Sequence, residues 1–317
     1  GRGAGAMNNY HLYEEIGQGK YSVVYKGRKR HTICYTAIKS VEKGRRAKVL
    51  NEVSIMCDFK HPNILQFHNW YETRNHLWII FEYCAGGDLL KLLKQDGRLS
   101  EEQVRVFAVD ICRGLVHVHS TGIIYADLKP SNILFNEHGS LKLSDFGMAQ
   151  RLEDLHRAME ENRPLPRRGT PYYMAPELFR EGGVHSFGSD LWALGCVLFE
   201  LLVGKPPFVS ASFQQLHHLI LEESPPMPPA SGAFQDLLQG LLWKDVFDRM
   251  AWDGLTVSPW WGEVNVDREK AQSLPPQPHF ELHRAALGRD NKASENSVSK
   301  EAELEELEEG IRLLAEG

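Results

Sequence analysis

The chain has 317 residues, 42% of them hydrophobic and 25% charged: enough for two lobes around a large core, with the balance of an ordinary soluble globular protein. Its formal charge of -6 argues against a nucleic-acid-binding surface overall. Five scattered cysteines (Cys34, Cys57, Cys84, Cys112, Cys196), odd in number and without a C-x-x-C pair, read as reduced thiols without structural zinc.

Gly1 to Ala6 carries one charge and no apolar stretch, so it reads as a vector-derived remnant ahead of Met7, not as a signal peptide. From Tyr10 to about Tyr83 the pattern is strand-like, with β-prone runs at Val23-Val24-Tyr25, Tyr35 to Ile38 and Leu77 to Phe81. One helix interrupts it: Arg46 to Cys57 puts Val49, Val53 and Met56 on one face, with Glu52 beside that face. After Gly86-Gly87 the chain turns helical. Asp88 to Lys94 opens one helix, and Ser100 caps a second that runs to His119 with Glu101 and Glu102 in its first turn. Asp190 to Leu202 reads as a buried helix stopped by Gly204 and Pro206-Pro207. Two amphipathic helices follow, over Phe213 to Glu222 and Phe234 to Lys244. The longest apolar runs, Leu77 to Phe81 and Leu191 to Val203, are too short or too interrupted to span a bilayer. Strands first and helices after predict an α+β protein in two lobes. A Pro-rich and polar linker over 267–300 leads to an acidic amphipathic helix over 301–317, with Leu304, Leu307, Ile311 and Leu314 at seam spacing.

Several residues carry chemistry. Gly17-Gln18-Gly19-Lys20-Tyr21-Ser22-Val23-Val24 lies between two β-prone segments, where glycines let backbone N–H groups approach phosphate; a plain hairpin turn fits as well, and Ser22 stands where a third glycine is usual. Lys39 ends an apolar strand and is costly to bury unless it meets an anion; Glu52 is a candidate partner, against the alternative of a solvated surface lysine. Asp127 suits alignment of an incoming hydroxyl, and Lys129 suits neutralisation of the transferred group. Asn132 and Asp145 offer oxygen ligands for magnesium. Each alone fits a polar loop with capping aspartates; the set, with the apolar strand Ile133-Leu134-Phe135 between its halves, makes that alternative improbable.

In chain order these motifs resemble the eukaryotic protein kinase family over about residues 10 to 262: the glycine segment, Lys39, Glu52, Asp127 with Asn132, Asp145-Phe146-Gly147 and Ala175-Pro176-Glu177. The resemblance implies a two-lobed fold, with a small β-rich N-terminal lobe over 7–84 containing one key helix and a larger, mostly helical lobe over 85–266. It implies ATP with Mg2+ as cofactors and a protein substrate bearing a serine or threonine hydroxyl. It makes Glu82, Tyr83 and Cys84 the hinge that meets adenine, Phe81 the gatekeeper, and Ile16, Val24, Ala37 and Leu134 the walls around the base. Met56, Phe67, Tyr125 and Phe146 become an apolar spine, Asp190 the anchor of the catalytic loop, and Arg249 the partner of Glu177. Lys129 and Gly169-Thr170-Pro171-Tyr172-Tyr173 resemble the serine/threonine branch, in which the Thr170 position bonds toward the catalytic aspartate and lysine.

Tyr13 to Gly17, Trp70 to Trp78 and Cys84 to Gly87 are similar to the Unc-51-like/Fused group, within it the branch of RUNKEL and Unc-51-like kinase 4. That likeness implies a cytoplasmic protein with microtubule or ciliary partners and a continuation into helical repeats. Some members lack catalytic residues, so an ATP-binding scaffold is the alternative to an active enzyme; this chain keeps Lys39, Glu52, Asp127, Asn132 and Asp145. The family's His-Arg-Asp is Tyr125-Ala126-Asp127 here, and an alanine methyl cannot pair with a phosphorylated activation loop. The long stretch from Asp145 to Glu177 carries Arg151, Arg157, Arg163, Arg167 and Arg168, either as solvated charge or as a docking strip for an acidic partner.

Overall fold

The computed structural model describes residues 4–161, 163, 169–180 and 183–274. The Pro-rich stretch from Pro275, the acidic helix expected over 301–317, and Arg167 with Arg168 lie outside the described residues. The chain divides into two compact units, the first made of Gly1–Asp88 and Ile133–Gly147.

The first unit is built on a five-stranded sheet of order β1-β2-β3-β5-β4, every neighbouring pair antiparallel. Its strands are β1 (Tyr10–Gly19), β2 (Ser22–Lys29), β3 (Tyr35–Glu42), β4 (Phe67–Glu72) and β5 (His76–Glu82). β3 alternates as a half-buried strand does, burying Thr36, Ile38 and Ser40. Ile38 packs with Tyr71 and Ile80. Gly27 on β2 has a steric reason to be glycine, since a Cβ there would lie 2.4 Å from Ile38 Cδ1. Helix α1 (Arg46–Met56) buries Val49, Val53, Ile55 and Met56, and Glu52 with them. A hairpin of β6 (Ile133–Phe135) and β7 (Leu141–Leu143) completes this unit. A linear cut after residue 84 would assign it to the second unit. It packs with the first because its backbone is hydrogen-bonded there: Leu65 N to Leu143 O at 2.8 Å, Leu143 N to Asn63 O at 2.9 Å, and Phe135 N to Gly87 O at 2.9 Å.

The second unit takes Leu89–Asn132 and the described residues from Met148 on. Its helices are α2 (Leu89–Asp96), α3 (Glu101–Ser120), α4 (Leu152–Glu160), α5 (Phe187–Val203), α6 (Phe213–Glu222), α7 (Gly232–Leu241), α8 (Trp252–Thr256) and α9 (Arg268–Gln272). A two-residue ladder pairs Ile123–Ile124 with Gln150–Arg151. Ser100 caps α3 through a reciprocal box with Gln103. Helix α5 is the spine of the core, buried continuously from Phe187 to Leu201. It starts three residues before the sequence predicts, because Ser186 and Ser189 form a capping box ahead of Asp190, and it stops at Gly204 in the left-handed region (φ 91°). Helix α7 ends three residues before the predicted Lys244: Met250 N takes the Gly240 carbonyl at 2.9 Å, the one a longer helix would bond to Lys244 N. Among the described residues no helix is long and apolar enough to cross a membrane.

Candidate active site

The candidate residues fall into two sets, one in each unit. In the first, Lys39 is the centre. β3 carries it inward between buried Ile38 and Ser40, and α1 delivers Glu52 to it. Lys39 Nζ donates to Glu52 Oε1 at 2.8 Å and Oε2 at 3.1 Å, and to Asp145 Oδ1 at 3.2 Å. Burial alone would pull the ammonium's pKa down; the facing carboxylates of Asp145 and Glu52 outweigh it, and the pKa is raised. Burial also raises the Glu52 carboxyl, with Lys39 pulling the other way. Asp145 stands half-exposed in the left-handed backbone region (φ 53°). Next to it Phe146 is fully buried, its ring centroid 5.2 Å from that of Phe59. The solvated-surface alternative for Lys39 is therefore excluded.

Around this centre lie the other candidates of the first unit. Gly17, Gln18 and Gly19 end β1, and Ser22, Val23 and Val24 begin β2. Lys20 and Tyr21 form the two-residue turn between the paired Gly19 and Ser22. The glycine segment is thus a hairpin. Ile16, Val24, Ala37 and Leu134 are half-buried, as apolar walls need to be if they are to meet a flat base. Phe81 lies opposite Ala37 in the sheet and packs edge-on against Phe67. After it come Glu82, Tyr83 and Cys84, all partly accessible. Glu82 Oε1 accepts from Lys142 Nζ at 2.9 Å and from Gln66 N at 2.6 Å, which fixes the start of this segment. Burial pushes the Cys84 thiol up to about 12, so it is neutral near pH 7.

In the second unit Asp190, from the first turn of α5, positions the backbone just ahead of Asp127. Its carboxylate accepts from Tyr125 N at 2.7 Å, Ala126 N at 2.8 Å and His119 Nε2 at 2.8 Å. Trp252 Nε1 donates to His119 Nδ1 at 2.8 Å, which places the imidazole proton on Nε2, facing Asp190. These bonds hold Ala126 at φ 67°, a region an alanine seldom occupies. The turn presents Asp127, which is buried. Asp127 Oδ1 accepts from Thr170 Oγ1 at 3.0 Å, and Oδ2 accepts from Lys129 Nζ at 2.8 Å and Asn132 Nδ2 at 2.9 Å. Lys129 Nζ also donates to Thr170 Oγ1 at 2.7 Å. Asp127, Lys129 and Thr170 are thus one bonded cluster.

Two features of this unit were not anticipated from the sequence. The stretch read as a long basic loop contains α4, whose Leu152, Leu155 and Met159 bury against Ile124, Ala126, Val184 and Phe187. The signal was present: leucines three apart followed by Ala158 and Met159, with Glu153 and Asp154 in the first turn. Of its arginines, Arg157 lies 3.7 Å from Asp154 and Arg163 2.6 Å from Glu161, so their charge is partly spent locally. Second, Tyr173, close after Thr170, donates to the buried Glu200 of α5 at 2.7 Å.

The donor chemistry fits a magnesium–nucleotide complex. Asn132 in the second unit offers an amide oxygen and Asp145 in the first a carboxylate, each a hard oxygen donor of the kind magnesium takes. Among the described residues no group of three or more His, Cys, Asp or Glu is gathered for a metal, so a softer protein-only cage is not on offer.

The family model described as protein kinase domain matches residues 10–261. The chain belongs to the protein kinase family, with its α+β fold of a five-stranded first lobe and a helical second lobe. It is 50% identical over 278 residues to "Serine/threonine-protein kinase RUNKEL" of Arabidopsis thaliana, covering 87% of this chain and 20% of that one. It is 41% identical to "Serine/threonine-protein kinase ULK4" of Mus musculus, covering 81% and 22%, and 39% identical to "Serine/threonine-protein kinase 36" of Pongo abelii, covering 84% and 20%. These relatives place it with the Unc-51-like/Fused group. The chain spans about a fifth of the length of each.

Proposed function

We propose that this domain is an active ATP-dependent protein kinase that transfers the terminal phosphoryl group to a serine or threonine hydroxyl with magnesium. The observation that carries this reading is the bonded pair of sets: Lys39 with Glu52 and Asp145, and Asp127 with Lys129, Asn132 and Thr170. In the reaction Asp127 accepts the hydrogen bond of the acceptor hydroxyl and aligns its oxygen, while Lys129 supplies positive charge for the group in flight. Lys39, held charged by two carboxylates, holds phosphate oxygens. The glycine hairpin offers backbone N–H groups to the same oxygens, and the hinge backbone takes adenine between the walls of Ile16, Val24, Ala37 and Leu134. Asn132 and Asp145 would hold the magnesium, which when bound neutralises charge on the phosphates. Positioning and charge compensation thus do the catalytic work, with no covalent step on the protein.

The test is radiolabel transfer from ATP with magnesium to a generic basic protein and to the kinase itself, for the parent and Asp145→Asn. Transfer that the substitution abolishes is expected. Thermal stabilisation by ATP without any transfer would overturn the enzyme in favour of a nucleotide-binding scaffold. A cytoplasmic setting with microtubule or ciliary partners belongs to the same proposal and rests on family likeness alone; absence of co-sedimentation with microtubules at any salt concentration would count against the microtubule partner.

A further inference from the structure

Helix α1 begins with an unfavourable charge arrangement. Lys43, Arg45, Arg46 and Lys48 gather at its entry with no acid in the first turn, at the end where the helix dipole is already positive. Lys43 and Arg46 are met by Glu72, at the end of β4, at 2.8 and 3.5 Å. Arg45 is met differently: its guanidinium carbon lies 3.7 Å from the centroid of the Tyr21 ring. Tyr21 occupies the turn of the glycine hairpin, and the Lys20 ammonium lies 5.7 Å from the same ring. A planar guanidinium at this distance stacks on the electron-rich face, a contact open to arginine and tyrosine but not to an aliphatic pair.

This contact closes a circuit inside the first unit. From the Lys20–Tyr21 turn it passes through Arg45 into α1, and two turns along α1 Glu52 grips Lys39. Lys39 on β3 lies opposite Val24 on β2, which leads back to the turn. The hairpin is therefore tied to the helix twice, directly by the stacked ring and, through its pairing with β3, by the buried ion pair. With one joint the turn could swing about Lys39; with two its distance from α1 is set.

We propose that Tyr21 and Arg45 form a clasp that positions the glycine hairpin against α1, so that the Tyr21 side chain is a positioning group while its turn offers backbone to phosphate. The inference rests on the nucleotide-binding reading given above, and its test separates the two. Affinities for ATP with magnesium and for adenosine are measured by calorimetry for the parent, Tyr21→Phe, Tyr21→Leu, Arg45→Met and the Leu/Met double variant. Amide hydrogen exchange across 17–23 and 46–56 is followed without nucleotide. Tyr21→Leu and Arg45→Met should each weaken ATP by about two- to fivefold, leave adenosine unchanged, and raise exchange in both segments together. The double variant should be no weaker than either single one, and Tyr21→Phe, which keeps the ring, should match the parent. Additive losses, a Phe variant as weak as the Leu variant, or unchanged exchange would each overturn the clasp. A parent that binds no nucleotide would overturn the functional reading, and the exchange results would then decide the clasp alone.

Discussion

Lys39 illustrates how one side chain can hold a site together and be held by it. The ammonium is largely withdrawn from water, and it is charged because Asp145 and Glu52 face it. Removing it would leave Glu52 as a buried, uncompensated carboxylate beside Asp145. Breaking a buried pair from one side costs about 3–5 kcal/mol, more than the pair contributes relative to an apolar replacement of both partners. Lys39→Met should therefore abolish phosphoryl transfer and also lower the thermal midpoint. Adding Glu52→Gln should recover much of that midpoint while activity stays lost. Thermal unfolding of the two variants checks this, and coincident melting curves would mean that Glu52 is not the destabilised group. These residues were legible in the sequence as a set: each alone fits an ordinary place, and their order along the chain, Lys39, Glu52, Asp127 with Lys129 and Asn132, then Asp145, marks them. Glu52, a candidate partner for Lys39 in the sequence, is its partner in the structure, carried beside the apolar face of α1.

At the scale of elements, α4 accounts for what Ala126 replaces. An arginine before Asp127 would offer a guanidinium to a phosphorylated loop; Ala126 instead offers a methyl to Leu152, Leu155 and Met159. The stretch also lacks acceptors, since between Asp145 and Glu177 the hydroxyl side chains are Thr170, Tyr172 and Tyr173 alone. Thr170 is bonded to Asp127, and both tyrosines are buried. Helix α4 is positioned by apolar packing, so phosphatase treatment should leave turnover unchanged, whereas Leu155→Ala should cost about 2–5 kcal/mol of stability and raise hydrogen exchange across 152–160. A tenfold or larger drop in turnover after phosphatase would sink the idea. Helix α4 was missed because its arginines drew the reading toward a charged loop, although its leucine spacing was helical. The other boundary errors have local causes as well. Capping by Ser186 starts α5 early, and the backbone N–H of Met250 takes the Gly240 carbonyl that would have extended α7. Such causes lie in partners far along the chain, which periodicity does not see. The β6–β7 hairpin is the same kind of case: its first strand, Ile133 to Phe135, was read from the sequence, but its membership in the first unit depends on backbone bonds to Asn63, Leu65 and Gly87.

For the whole molecule, one carboxyl in the core makes a contribution to the pH dependence of stability that can be isolated. Glu200 sits on α5, accepts the Tyr173 hydroxyl at 2.7 Å, and is buried. Burial raises its pKa to about 7, against an opposing pull from the Tyr173 bond. The folded state therefore keeps a proton that the unfolded chain releases at lower pH. The contribution is fully present below the ordinary carboxyl pKa of about 4.3 and is lost as pH rises through about 7. Above that the cost of an ionised Glu200 is on the order of 3 kcal/mol, a shift of several degrees in the midpoint of a domain this size. Other carboxyls act in the opposite sense. Glu101, despite the burial that raises it, is held low by bonds from Ser231 and Trp260 and gives stability that is lost on acidification. The raw pH profile therefore mixes signs, and the informative quantity is the difference from a variant. Glu200→Gln keeps a carbonyl oxygen for the Tyr173 hydroxyl and removes the titration. Its midpoint should lie close to the parent's near about pH 5 and exceed it increasingly toward about pH 8. Midpoints that run parallel across that range would show that Glu200 does not ionise at a cost to the fold, and would remove the core carboxyl from the account of how this domain responds to pH.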